Sequence, residues 1–360
     1  MLDIFSQKLD AFGLDISDLS LKMAKLEKKR GEIKLASFGS ISLPLSVVKK
    51  GEIKNKKILA EKIKKLLKDS EGEKLETSKV ICSLPEERSF LDVIQFPKIK
   101  DKEIKQAVEY EIENHIPLPI EQVYFDFQIM KSALNNPKFT EVLIAASPKI
   151  IVDSYIDTLK MANLEPQILE IECQSIARAL IKKGETINSI LLIDFGENRT
   201  TFVIFSNRNI RFTSTIPISS KKLTQSISKN LKISTKKAEQ LKIEYGLEEK
   251  KEIFEAMLPT LTDLSEQIKT HLKYWKSHEE KGEALHNNRA VEKILICGGG
   301  ARLDGITDFL ADQLKIPVEL GNPWVNILKT PIKKAPALHF EQSLGYTTAL
   351  GLALRGTRRI

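Results

Sequence analysis

Two aspartates, Asp15 and Asp194, stand where acids are well placed to do chemistry, each closing an apolar run and opening a turn. The later one ends Ile190-Leu191-Leu192-Ile193-Asp194-Phe195-Gly196, after which Thr200 and Thr201 lead into a second apolar run at 202–205. Four aliphatics in a row predict a buried strand, and an acid, a glycine and two hydroxyls predict a turn able to meet an anion or a hydrated cation. The earlier stretch, Phe12-Gly13-Leu14-Asp15-Ile16-Ser17-Asp18, has the same order and returns through Ser20-Leu21-Lys22. A third run, Ile294-Leu295-Ile296-Cys297, enters Gly298-Gly299-Gly300-Ala301-Arg302. That predicts a strand-to-helix turn whose backbone N–H groups can approach phosphate without side-chain obstruction. One such turn is a weak signal, whereas hairpin, hairpin and triple glycine in that order point to a bound nucleotide.

Elements must position these turns. Residues 32–48 predict further short strands, and Ile58, Leu59, Ile63, Leu66 and Leu67 mark one face of a covering helix. Residues 79–84 form a central strand ended by Pro85. A new unit then starts at 90–97. In it Ile104, Ala107, Val108 and Ile112 form a helical stripe stopped at Pro117 and Pro119, and strands at 123–130 and 140–147 are joined by an Asn-Asn-Pro loop. A helix at 149–161 completes it. Helices follow at 174–181, 223–227 and 234–242, the last capped by Ser234 or Thr235. Leu261, Leu264, Ile268, Leu272 and Trp275 make a long core stripe, 277–289 reads as an exposed polar loop, and the last helix spans 343–354. The domain reading is a first lobe of 1–84 plus 162–188, an inserted partner-binding subdomain of 85–161, and a second lobe of 189–354 that includes a mostly helical 220–290.

A chain of 360 residues exceeds one ordinary domain, so two lobes with a cleft are expected. With 42% hydrophobic and 29% charged residues the composition is that of a globular protein, and no run approaches the roughly 18 apolar residues that span a bilayer. Met1-Leu2-Asp3-Ile4-Phe5 puts an acid where an export signal needs bases. Cys82, Cys173 and Cys297 lie far apart, as reduced thiols of a cytoplasmic compartment would, and the five histidines show no ligand spacing. The net charge of +8 comes from lysines interleaved with acids along helices. Without interleaved aromatics that pattern argues against a nucleic-acid groove, though Arg355, Arg358 and Arg359 would favour an anionic membrane nearby.

Together these residues resemble the actin-like ATPase superfamily and, within it, the PilM family of type IV pilus assembly proteins, which is related to the division protein FtsA. Gly13-Leu14-Asp15-Ile16 with Lys22 is similar to the first phosphate loop, Ile193-Asp194-Phe195-Gly196 with Thr200 and Thr201 to the second, and Gly298-Gly299-Gly300-Ala301 to the adenosine motif. Ala238-Glu239-Gln240-Leu241-Lys242 resembles the helix whose Glu and Lys approach the ribose and base. Leu84-Pro85-Glu86, Ala107-Val108-Glu109-Tyr110-Glu111 with Ile116-Pro117-Leu118-Pro119, Glu170-Ile171-Glu172 with Ala177-Arg178-Ala179, and Gly351-Leu352-Ala353-Leu354-Arg355 are similar to PilM more narrowly.

The resemblance implies an α/β, two-lobed actin-like ATPase fold with an inserted subdomain of the FtsA and PilM type, and ATP with Mg²⁺ as cofactors. Asp15, Ser17, Asp18, Lys22, Asp194, Gly196, Thr200, Thr201, Glu239, Lys242, Gly298, Gly299, Gly300 and Arg302 would hold the nucleotide, with Asp15 and Asp194 facing Mg²⁺ through water. Glu170 and Glu172 are candidates to orient water; neither is assigned as a base, so the chain is at most a weak ATPase. The implied partner is a PilN-like inner-membrane protein whose N-terminal cytoplasmic tail docks beside the inserted subdomain through apolar pockets and backbone pairing. The protein would then be cytoplasmic, peripheral at the inner face of the membrane and in contact with it mainly through partners, with self-association left open.

One departure stands out. The family's first loop normally reads Asp-x-Gly-Ser, whereas this chain has Asp15-Ile16-Ser17-Asp18. A carboxylate about 5 Å from a phosphate charge costs roughly 3 kcal/mol at an effective dielectric near 20, or about two decades of affinity. Weak or metal-dependent ATP binding follows, unless Asp18 turns away or helps hold a cation. Plainer alternatives stand beside these assignments: a triple-glycine turn without ligand, Glu239 and Lys242 as an exposed helix pair, and Thr200 and Thr201 as strand formers. At the level of function the alternatives are two. An FtsA-like division filament protein would carry a linker and an amphipathic helix after the fold, where this sequence reads Gly356-Thr357-Arg358-Arg359-Ile360. A small-molecule kinase of the same superfamily would need a positioned acid for a substrate hydroxyl.

Overall fold

The computed structural model describes residues 9–29, 31–130, 139–184, 188–248, 250–277, 290–328 and 335–357. The Asn-Asn-Pro loop, the N-terminal pentapeptide, the bulk of the expected polar loop, His278, His286, Arg358 and Arg359 lie outside the described residues. The chain forms two compact units, one of Met1–Gly184, Pro323–His339 and Tyr346–Ile360, the other of Glu185–Asn322 and Phe340–Gly345.

In the first unit, β1 (Phe12–Ile16) is buried along its whole length because it lies inside a mixed sheet. It pairs antiparallel with β2 (Ser20–Lys29), which pairs with β3 (Glu32–Ser42). A two-residue hairpin of β4 (Val48–Lys49) and β5 (Glu52–Ile53) leads to α1 (Lys56–Lys68), where Asn55 caps the helix by accepting the Ile58 N–H at 3.0 Å. After the short edge strand β6 (Glu71–Gly72), β7 (Lys79–Leu84) runs parallel to β1.

The inserted module then begins with β8 (Phe90–Pro97) and α2 (Asp101–His115), which stops before an extended Ile116 that leads into Pro117. With β9 (Val123–Ile129) and β10 (Phe139–Pro148) they build a three-stranded sheet of order β8-β10-β9 over a separate core that includes Ile94, Phe96, Ile104, Val108, Ile112, Val142 and Ile144. The next helix, α3 (Lys149–Met161), packs Ile151, Val152, Tyr155 and Leu159 into the main core of the unit, among Leu59, Ile63 and Leu84. The module therefore closes at β10, not after α3, because the apolar stripe of α3 faces the other core.

The chain rejoins the main sheet through β11 (Glu165–Ile171), parallel to β7, and continues into α4 (Glu172–Leu180). The six-stranded order is β11-β7-β1-β2-β3-β6. The C-terminal helix (Thr347–Gly356) also belongs here, burying Ala349, Leu350, Leu352, Ala353 and Leu354. The expected assignment of everything from 189 to 354 to the second lobe is thus corrected, as is the single helix expected over 343–354. That stretch is two helices, and the small residues of the second let it lie close on α4 and β1.

The second unit is a sheet of order β14-β13-β12-β15-β16, formed by β12 (Ser189–Phe195), β13 (Thr200–Ser206), β14 (Asn209–Ile216), β15 (Val291–Cys297) and β16 (Val318–Leu320). Helices α5 (Ser220–Leu231), α6 (Thr235–Tyr245) and α7 (Lys251–Ser277) lie between β14 and β15 in the chain, and α8 (Ile306–Leu314) and α9 (Phe340–Leu344) complete the unit. Leu261, Leu264 and Ile268 of α7 are fully buried beside Ile193, Phe195 and Phe202, and Ser234 caps α6 by accepting the Lys237 N–H at 3.2 Å. Among the described residues no helix is long and apolar enough to cross a membrane.

Candidate functional site

The first hairpin sets Asp15 opposite Lys22. Asp15 is buried, and its Oδ1 accepts the Ser83 hydroxyl of β7 at 3.0 Å, while Ser83 Oγ accepts the Ile16 N–H at 3.3 Å. A neighbouring strand thereby fixes the acid's orientation. At the tip, the Ser17 N–H and hydroxyl both donate to the Ser20 carbonyl at 3.0 Å, and the Lys22 ammonium donates to Ser20 Oγ at 3.1 Å. Asp18 is held by protein: Oδ2 accepts the Lys50 N–H and Oδ1 the Gly51 N–H, both at 2.9 Å. The carboxylate expected to face a phosphate is engaged by two backbone donors of the β4–β5 turn.

Glu170, a candidate to orient water, has another task. It is 3% exposed, and Arg178 of α4 grips both its oxygens, with Nη2 to Oε2 at 2.8 Å. Arg355 of the C-terminal helix donates to Oε2 as well, and Arg178 reaches the Gly351 carbonyl at 3.0 Å. A carboxylate gripped by the Arg178 fork and by one N–H of Arg355 ties β11, α4 and the C-terminal helix together. Glu172 is buried in the first turn of α4. Burial first, and then the charges of Asp15 and Glu172, hold the Cys82 thiol well above its ordinary range; burial and then Glu86 do the same for Cys173.

In the second unit, Asp194 lies in register with Thr201 of β13 and Cys297 of β15. The Gly196 N–H closes the hairpin on the Arg199 carbonyl at 3.0 Å, and the Gly196 and Glu197 carbonyls accept the Ser220 and Lys221 N–H groups at 3.0 and 3.1 Å. The turn therefore seats on the start of α5. The triple glycine meets it from β15: Gly298 has φ 87°, and a side chain there would overlap Asp194 Oδ1. At Gly300 a Cβ would stand 2.6 Å from Phe195 Cδ1, whereas nothing lies within 4 Å of the Gly299 position. Gly298 allows the close approach to the acid and Gly300 that to Phe195, while Gly299 leaves open backbone beside them. Arg302, just beyond, is exposed.

Several polar side chains of this unit are engaged by the protein itself. Thr200 and Thr201 are buried, the Thr200 hydroxyl donates to the Ile218 carbonyl at 2.7 Å, and Thr201 Oγ1 pairs with Thr215 Oγ1 at 3.3 Å. Their hydroxyls pin neighbouring segments. Lys242 is not half of an exposed pair: it is 4% exposed, with its ammonium at 2.8 Å from Ser220 Oγ, 2.9 Å from Thr224 Oγ1 and 2.8 Å from Glu239 Oε2. Thr224 also donates to Glu239. The lysine locks α5 to α6 and presents the half-exposed Glu239 carboxylate at the surface.

A groove of ≈ 630 Å³ lies within the first unit, between the inserted module and the main sheet. Strand alternation explains its wall. Val142, Ile144 and Ala146 of β10 enter the module core, while Leu143, Ala145 and Ser147 line the groove. Residues 124–128 of β9 and 168–171 of β11 line it as continuous stretches, and each belongs to the outermost strand of its sheet. Two strand edges therefore border one cavity, with Arg178 and Arg355 in its lining. The strand at 140–147 was legible in the sequence; which of its faces lines the groove, and the pairing of Ser83 with Asp15 68 residues away, were not.

These two sheets, with an acidic hairpin in each unit and a triple-glycine turn against the second, make the actin-like ATPase fold. MreB5 of Spiroplasma citri bound to ADP shares it with TM-score 0.51 at 12% identity over 94% of each chain, a likeness of fold alone. The chain belongs to the family of type IV pilus assembly protein PilM, whose family model matches residues 13–357. A PilM–PilN type IV pilus biogenesis complex is similar with TM-score 0.80 and 25% identity, over 98% of this chain and 100% of that one. FtsA of Streptococcus pneumoniae serotype 2 is 23% identical over 383 residues, 96% of this chain and 82% of the relative.

Proposed function

We propose that the chain is an ATP-binding scaffold of type IV pilus assembly, or of a related secretion machine, that receives the N-terminal cytoplasmic tail of a PilN-like inner-membrane protein in the groove of its first unit. The observation that carries this reading is the pair of outermost strands, β9 and β11, bordering one cavity. An extended tail can add hydrogen bonds to either edge and place alternate side chains in the pockets left by Leu143, Ala145 and Val152. Recruitment by such a tail puts the protein at the cytoplasmic face of the membrane without a span of its own.

The nucleotide half of the proposal rests on residues that fit it. Asp15 and Asp194 are the carboxylates for hydrated Mg²⁺, Lys22 and Ser17 suit phosphate, and the open backbone at Gly299 suits the adenosine side. When bound, Mg·ATP would supply a compact cluster of negative charge together with a hydrated divalent cation. With Glu170 gripped by two arginines, no residue is assigned as a base, and turnover is weak at most. The similarity to a PilM–PilN complex favours this reading over a division filament or a small-molecule kinase.

The test is a binding titration with the N-terminal peptide of the partner. Wild type is expected to bind, and Ala145→Arg, which fills the groove, is expected to lose at least about tenfold in affinity, or ~1.4 kcal/mol. Unchanged affinity of Ala145→Arg, or of a partner deleted for its N-terminal segment, rejects the docking site.

A further inference from the structure

We infer that the two-residue turn Lys50 and Gly51 is a relay between the first phosphate loop and both attachment points of the inserted module. The inference deepens the proposed docking of a tail by naming what makes the groove sensitive to the loop. The turn joins β4 to β5 with φ 51° at Lys50 and 72° at Gly51, the left-handed pair of a tight hairpin. Lysine rarely adopts that conformation, so the turn persists only because its surroundings hold it.

They hold it from two sides. Its N–H groups both donate to Asp18, at the tip of the first phosphate loop, at 2.9 Å. Its carbonyls go the other way: Arg88 Nε donates to the Lys50 carbonyl at 2.9 Å, and the Tyr155 hydroxyl to the Gly51 carbonyl at 3.0 Å. Arg88 stands just before β8, where the chain enters the module. Tyr155 stands on α3, which follows β10, where the chain leaves it. Pro85 adds a packing contact, since a side chain at Gly51 would overlap its ring. Leu84, Ser147 and Val152, beside these joints, line the groove.

The entry and exit of the module thus meet one strained turn, whose donors end on one carboxylate. An anion arriving at Ser17 and Lys22 would repel Asp18 and draw on that clamp, giving the turn a second arrangement that either end can bias. By linkage, a tail that favours one arrangement changes anion affinity by the same factor that the anion changes tail affinity. Asp18 is a positioning residue in this scheme and touches neither ligand.

Hydrogen exchange on the full chain without ligands tests the relay. In Asp18→Ala the amides of Lys50 and Gly51 should exchange at least about tenfold faster, with a parallel rise at residues 89–91 and along 124–128. A rise confined to Lys50 and Gly51 overturns the relay. Should Asp18→Ala lose the fold, Asp18→Asn, which keeps one acceptor oxygen, is read in the same way. A second measurement uses the tail peptide with and without Mg·AMPPNP: wild type should show affinities differing by about fivefold or more, and Asp18→Ala a ratio near one. An unaltered ratio in the variant also overturns the relay. A peptide that does not bind wild type at all rejects the docking reading instead, and the exchange result still decides the relay.

Discussion

Asp15, Asp18 and Asp194 are chemically alike, and their neighbours separate them. Asp15 is buried against a hydroxyl, Asp194 lies over a glycine backbone, and Asp18 is held by two amides. Asp194→Ala is therefore expected to weaken Mg·ATP binding more than Asp18→Ala, measured by titration calorimetry. Asp18→Ala should instead cost about 1–2 kcal/mol of stability in urea unfolding, the worth of hydrogen bonds to a charged acceptor. If Asp18→Ala tightens ATP binding, like-charge repulsion in the loop outweighs the loss of the clamp. Lys242 makes the same point for a cation: an ammonium with oxygen partners on three residues belongs to the framework, and Glu239 keeps the surface.

At the scale of elements, the C-terminal helix is held by contacts that only its composition permits. At Gly351 the backbone lies so close to α4 that a Cβ would overlap the Ser175 carbonyl, and one turn later Arg355 reaches Glu170. Gly351→Ala is expected to push the helix off α4, costing at least about 3 kcal/mol, with part of the loss appearing as a weakened Arg355 contact. Denaturation midpoints check it. A midpoint for Gly351→Ala equal to wild type would show that the helix shifts without loss.

For the whole molecule, pH reports on the first unit's core. Burial and nearby carboxylates raise the Cys82 and Cys173 thiols above their ordinary value of 9.0, so the folded chain keeps protons that the unfolded chain releases. The associated stability is full below about pH 9 and falls as the pH rises past it. Unfolding midpoints should drop between pH 8 and 10, and drop less in a Cys82→Ala, Cys173→Ala double variant. Thiol reagents should modify both cysteines only as the unit unfolds. The second unit carries Cys297, also buried, and its separate core allows the two transitions to be followed apart.

Much of this protein was legible as pattern. Aliphatic runs ending in an acid predicted β1 and β12, the 3.6-residue stripes predicted α1, α2 and α7, and the run at 140–147 predicted the strand β10. Periodicity is local and survives in the sequence because each element must bury one face. What tertiary structure alone decided was the partner of each polar atom. Ser83 for Asp15, Ile218 for Thr200, Arg355 for Glu170, and Lys50 with Gly51 for Asp18 come from distant parts of the chain, and residue type does not encode those distances. The placement of α3 and of the C-terminal helix was decided the same way, by which core had room for a stripe of small and apolar side chains.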